Sequence, residues 1–137
     1  SYKLDNDRIP YDLWLDILRD NLSPETANPR FGTSETYFAQ SEEGQIVGIL
    51  NLRHTLTPFY QDSGHIGYSV RPSLRRNGYA TAMLCAALDR ARAANLQSVK
   101  LVCGKDNSAS KNTILRCGGV LARTLSDAAK EEYIIQL

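Results

Sequence analysis

The stretch VRPSLRRNGYATAML, Val70 to Leu84, constrains the fold more than any other part of the chain. A strand-like run, GHIGYSV (Gly64 to Val70), stops at Arg71-Pro72. The residue before proline is pushed out of helical geometry, and proline cannot donate to a ladder. Asn77-Gly78 would ordinarily mark a turn, yet a helical pattern follows at once, with Ala80, Met83, Leu84, Ala87, Leu88 and Ala91 forming an apolar stripe. Ser98 to Cys103 then reads as a short strand. Strand, helix, strand in this order is the right-handed crossover of a parallel pair. It leaves a glycine-bearing loop at a helix N-terminus, beside the end of a strand. The first helical turn carries unpaired N–H groups and the positive end of the macrodipole, and Gly78 lets an anion approach without meeting a Cβ. Arg71, Arg75 and Arg76 add charge at the same place, where contacts to phosphate are charge-assisted. The predicted ligand is a phosphate or pyrophosphate.

That charge is local. Sixteen basic against fifteen acidic residues give the 137-residue chain a formal charge of +1, without the global field that marks a nucleic-acid or membrane-surface binder. No apolar run approaches the roughly 18 to 20 residues of a membrane helix, and SYKLDNDRIP lacks the apolar stretch of a secretory signal. A single soluble, cytoplasmic domain is expected, with neither nucleic acid nor membrane as partner. Cys85, Cys103 and Cys117 have no metal-site spacing and read as reduced thiols, Cys85 and Cys103 as core packing. No metal is predicted.

Around the central unit the pattern continues on both sides. Leu13, Trp14, Ile17 and Leu18 predict an amphipathic helix over Pro10 to Leu18, followed by a long Pro- and Gly-bearing loop. Trp14, Arg30 and Phe31 are candidate walls of an acceptor pocket. Strands are predicted at Thr36 to Gln40 and Ile46 to Leu56, joined by a hairpin turn at Glu42-Glu43-Gly44-Gln45. A short helix is predicted at Lys111 to Arg116, and strands at Val120 to Thr124 and Glu132 to Leu137. The class is α/β (α+β), a mixed sheet with helices against it.

Two familiar phosphate motifs, GxxxxGK[ST] and GxGxxG, are absent. Arg75, Gly78 and Ala80 satisfy [RQ]-x-x-G-x-[GA]; Asn107-Ser108-Ala109-Ser110 and Cys117-Gly118-Gly119 fit a second segment, N-x-x-[SA] followed by G-[FG]. With the strand and helix order, these resemble the coenzyme A signature of the GNAT N-acetyltransferase superfamily, over roughly Thr36 to Leu137. The GHIGYS strand and RxxGYA loop resemble in particular those of bacterial predicted acetyltransferases.

The resemblance implies a mostly antiparallel sheet with a central, splayed parallel pair, and acetyl-CoA as co-substrate. The backbone of Tyr68, Ser69 and Val70 would pair with the pantetheine arm. The amides of Arg75, Arg76, Asn77, Gly78, Tyr79, Ala80 and Thr81 would hold the pyrophosphate, and Asn107 and Ser110 would contact the cofactor from the far side. Asn107 reads equally as a helix cap. The implied activity is acetyl transfer to a primary amine of a small molecule or peptide by direct attack. The alternative is a catalytically silent acyl-CoA-binding or sensing domain, because Ile114 stands where many members carry the tyrosine that protonates the leaving thiolate. His65 is the candidate base or, since strand side chains alternate faces, a packed strand histidine; His54 is a second candidate. Cys117 and Tyr133 fit no acid position. The usual first strand and first helix do not fit in full, which reads either as a truncated or partly ordered form or as an abbreviated member whose exposed sheet edge a partner covers, a homodimer being expected in the second case.

Overall fold

A computed structural model describes residues 22, 23, 25–125 and 129–137. The helix predicted at Pro10 to Leu18, with Trp14, lies outside the described residues. Within them the order is β1 (Ser34–Gln40), β2 (Ile46–Arg53), β3 (Ile66–Val70), α1 (Tyr79–Ala93), β4 (Ser98–Gly104), α2 (Ser108–Arg116), β5 (Val120–Thr124) and β6 (Lys130–Gln136). Single 3₁₀ turns form at Pro58–Tyr60 and Pro72–Leu74, each started by its proline. β2 stops at Arg53, three residues before the predicted Leu56, because the chain leaves the sheet towards Pro58. α2 begins three residues earlier than predicted: the Asn107 side chain accepts from the Ser110 amide at 3.1 Å and caps it.

The strands make two three-stranded antiparallel sheets, ordered β1-β2-β3 and β4-β6-β5. The ladder expected between β3 and β4 does not form. They join only at one end, where Gly64 bridges Leu101 and the His65 N–H donates to the Lys100 carbonyl at 2.8 Å. Gly64 permits this approach: it has φ +79°, and a Cβ there would lie 2.6 Å from the Lys100 oxygen. Past that joint the strands splay, and the gap becomes a cleft.

The apolar stripe of α1 behaves as its spacing predicts, with Met83, Leu84, Ala87, Leu88 and Ala91 buried. They share one core with Leu50, Leu52 and Ile66 of the first sheet and Val99, Leu101 and Ile135 of the second. A fully buried leucine contributes about 1.5 to 3 kcal/mol, so the α1 stripe adds to the joint at Gly64 in holding the two sheets together. Arg90 adds a clasp at the far end, donating to buried Glu35 of β1 at 2.8 Å. Cys103 is in the core as expected; Cys85, one position off the stripe, is exposed. No helix among the described residues is long and apolar enough to cross a membrane.

Candidate active site

The splay opens a cleft of about 990 Å³, walled by β3, β4, the N-terminal end of α1 and one side of α2. Eleven of the predicted cofactor residues line it: Tyr68, Ser69 and Val70 from β3, Arg75, Arg76 and Gly78 from the loop, Tyr79, Ala80 and Thr81 from α1, and Asn107 and Ser110 at α2. Asn77 does not. Its side chain donates back to the Leu74 carbonyl at 3.0 Å and fixes the loop from behind.

The backbone of β3 decides which groups reach the cleft. The His65 carbonyl and the Arg71 N–H bond to β2, at 2.7 Å each. By antiparallel alternation, Gly67 and Ser69 also face β2, while Ile66, Tyr68 and Val70 turn their N–H and C=O groups to the open edge. Tyr68 and Val70 thus have main-chain groups aimed into the cleft, and Ser69 does not. The Val70 carbonyl is already engaged by Arg75 Nε at 3.2 Å, which leaves its N–H.

The loop after β3 is wound for anions. Arg76 (φ +68°) and Gly78 (φ +81°) are both left-handed, and successive amides in such a turn converge on a concavity. A non-glycine residue held there costs of the order of 1 to 3 kcal/mol, and such strain clusters at functional sites. A Cβ built on Gly78 would meet nothing within 4 Å, so the space above its backbone is open to a ligand. Arg75, Arg76, Arg116 and Lys130 all contribute to the walls. These features fit the diphosphate and pantetheine of coenzyme A.

His65 lies at the joint of the splay and not on the cleft wall. It is half-buried, and its Nδ1 accepts the Lys100 N–H at 2.9 Å, so its basic nitrogen is spent on holding β4. Burial lowers its pKa, and the nearby Lys100 and Arg53 charges lower it further, which keeps the ring neutral. His54 is elsewhere, between Thr33 Oγ1 (2.8 Å) and Glu35 (2.6 Å).

Ile114, 1% exposed, lines the cleft where a tyrosine would be expected and has no proton to give. The Tyr68 hydroxyl is nearby: it lines the same wall and meets Ser110 Oγ at 2.8 Å, spanning the gap from β3 to α2. Burial raises its pKa, so it stays protonated. Cys117 is not on the cleft wall; burial and the adjacent Cys85 push its thiol up to about 11. Tyr133 is buried against Glu131.

Sequence reading missed the far end of the cleft, formed by Arg53, Asp62 and Ser63. Arg53 stands 4.2 Å over the Tyr60 ring and donates to the Gly64 carbonyl at 2.8 Å; Asp62 accepts from Arg123 at 3.1 Å. Tyr60 continues into Phe59 and Phe31, with Arg30 stacked on Phe59 at 4.9 Å. No local pattern marks Arg53, Asp62 and Ser63, which meet only through tertiary packing; Arg30 and Phe31, expected as pocket walls, do not line this cleft. No cluster of His, Cys, Asp and Glu among the described residues could hold a metal ion.

Residues 5–118, most of the chain, match the model of the acetyltransferase (GNAT) family. No curated protein matches the chain in sequence. Among solved structures it resembles a dodecameric spermidine N-acetyltransferase from Vibrio cholerae (TM-score 0.69, 16% identity, covering 91% of this chain and 71% of that one). Mutant forms of the spermidine/spermine N-acetyltransferase of the same organism give a TM-score of 0.64 at 16% identity, covering 75% of this chain and 64% of that one. The structure of yncA from Salmonella typhimurium with its cofactor acetyl-CoA gives 0.59 at 16% identity, covering 71% and 61%. The chain thus spans less than two thirds of the length of two of these three.

Proposed function

The chain belongs to the acetyltransferase (GNAT) family, and from that premise we propose that it transfers an acetyl group from acetyl-CoA to a primary amine of a small molecule or peptide. One observation carries the reading: the unpaired edge of β3, the left-handed turn at Arg76 to Gly78 and the cationic wall converge on a single cleft. Acetyl-CoA supplies an activated thioester. The chain's own groups do the rest. Amides from Arg75 to Thr81 hold the diphosphate and Tyr68 and Val70 align the pantetheine. The amine enters from the Arg53, Asp62 and Ser63 end and attacks the thioester carbonyl.

The Tyr68 hydroxyl, which Ser110 orients, would protonate the departing thiolate and be restored by the proton that the attacking neutral amine gives up. His65 is a positioning residue that pins β3 to β4. Spermidine acetyltransferases among the similar structures support an amine as acceptor. β5 is an edge strand with Val120 68% and Leu121 50% exposed, which suits pairing with a second copy. Three free thiols suit a reducing, cytoplasmic setting.

Ile114 favours a second reading, an acyl-CoA sensor that binds without turnover. A thiol-release assay with acetyl-CoA and a panel of amines separates the two. Amine-dependent release of coenzyme A is expected, and tight binding with silence across the panel would favour the sensor.

A further inference from the structure

Two thiols meet where α1 and α2 touch. Cys85 Sγ and Cys117 Sγ are 4.0 Å apart, the first exposed on α1 and the second half-buried at the C-terminal cap of α2. A disulfide needs about 2.05 Å between sulfurs, so closing this pair takes about 2 Å of movement, within reach of side-chain rotation and a slight approach of the helices. The two helices also carry facing parts of the cleft: Tyr79, Ala80 and Thr81 begin α1, while Thr113, Ile114 and Arg116 run along α2 towards Cys117. The third thiol, Cys103, is buried.

We propose that Cys85 and Cys117 are a reversible redox pair, which a low-molecular-weight disulfide such as oxidised glutathione closes into a bond that draws α2 onto α1 and narrows the cleft. The disulfide stands on the sulfur geometry alone; its effect on the ligand rests on the acetyl-CoA reading above.

The chemistry balances as two exchanges. The Cys85 thiolate, on the exposed face, attacks one sulfur of oxidised glutathione, forming a mixed disulfide and releasing one glutathione thiolate. Cys117 then attacks the Cys85 sulfur and expels the second glutathione thiolate, which carries away the Cys117 proton. Two protein thiols are oxidised and one glutathione disulfide is reduced. Cys117 is reluctant to ionise, its thiol being raised to about 11 by burial and by Cys85, so it acts second, once Cys85 no longer bears a charge.

The test uses the folded chain with oxidised glutathione, followed by alkylation, digestion and mass spectrometry. Expected are loss of two of the three thiols, a peptide cross-linked through Cys85 and Cys117, and full reversal by dithiothreitol. Cys85→Ser and Cys117→Ser should each lose the cross-link while the reduced proteins keep wild-type affinity for acetyl-CoA. The oxidised wild type should bind acetyl-CoA about five-fold more weakly or worse. Three surviving thiols, or glutathione adducts without the internal cross-link, would overturn the pair. A cross-link with unchanged or tighter acetyl-CoA binding would overturn the coupling. Absence of acetyl-CoA binding in both states, with the cross-link formed, would remove the cofactor reading and leave the pair standing.

Discussion

At the scale of single residues, His65 and Tyr68 divide work that a sequence reader would assign the other way. Gly64 takes a left-handed turn just before β3, which swings His65 onto Lys100. Strand alternation cannot anticipate that turn. His65→Ala should weaken acetyl-CoA binding several-fold by loosening the joint, while the pH dependence of kcat keeps its shape. A titration near neutral pH that vanishes in this variant would make His65 the base. Tyr68→Phe keeps the ring and removes only the proton, so kcat should fall about 10²-fold, the scale of a lost general acid, with KM for acetyl-CoA little changed. Equal turnover in wild type and variant would place the acid elsewhere.

Among the elements, α1 is both lid of the core and wall of the cleft, and its anchorage shows in pH dependence. Burial alone would raise the Glu35 pKa, but hydrogen bonds from His54, Tyr37 and Arg90 and the Arg90 charge hold it at about 2, against an ordinary 4.5. A depressed carboxyl stabilises the fold above its unfolded pKa and loses that contribution as the native carboxyl protonates. Unfolding free energy should therefore drop by about 2 to 3 kcal/mol between pH 4.5 and 2, beyond the general acid effect. Glu35→Gln should flatten that part of the curve in urea titrations; an unchanged slope would show the clasp carries nothing. α2 gives a second case. Asn107 is the cap of the helix and also lines the cleft, a position that suits both readings open in the sequence. Asn107→Ala should cost about 1 kcal/mol of stability and weaken acetyl-CoA binding in the same variant, read by melting and calorimetry.

For the molecule as a whole, the elements that carry their own signal were legible: the α1 stripe, the proline stop at Arg71-Pro72, and the loop whose Gly78 stands at a helix start. The residues expected to hold the cofactor, drawn from the end of β3, one loop and the first turns of two helices, therefore line one cleft, Asn77 excepted. The splay of the central pair came only from the resemblance, because whether β3 and β4 keep a ladder depends on one close approach at Gly64. The far end of the cleft was not legible, because Arg53, Asp62 and Ser63 come from separate segments and no spacing relates them. The cleft was thus most legible at its Gly78 end and least at its Arg53 end.

The central claim is that the turn at Arg76 to Gly78 receives the diphosphate of acetyl-CoA. Calorimetric titration of acetyl-CoA into the wild type and Gly78→Glu tests it most directly. The wild type should bind with Kd of roughly 1 to 100 μM, inside the range of about 1 μM to 1 mM usual for substrate KM values. Gly78→Glu puts a side chain and a negative charge into the open space above the turn, at a φ of +81° that favours glycine. It should stay folded by circular dichroism yet show no binding at about 1 mM, a loss of more than ten-fold, or more than about 1.4 kcal/mol. A wild type silent at that concentration, or a folded variant that binds as well as the wild type, would contradict the account.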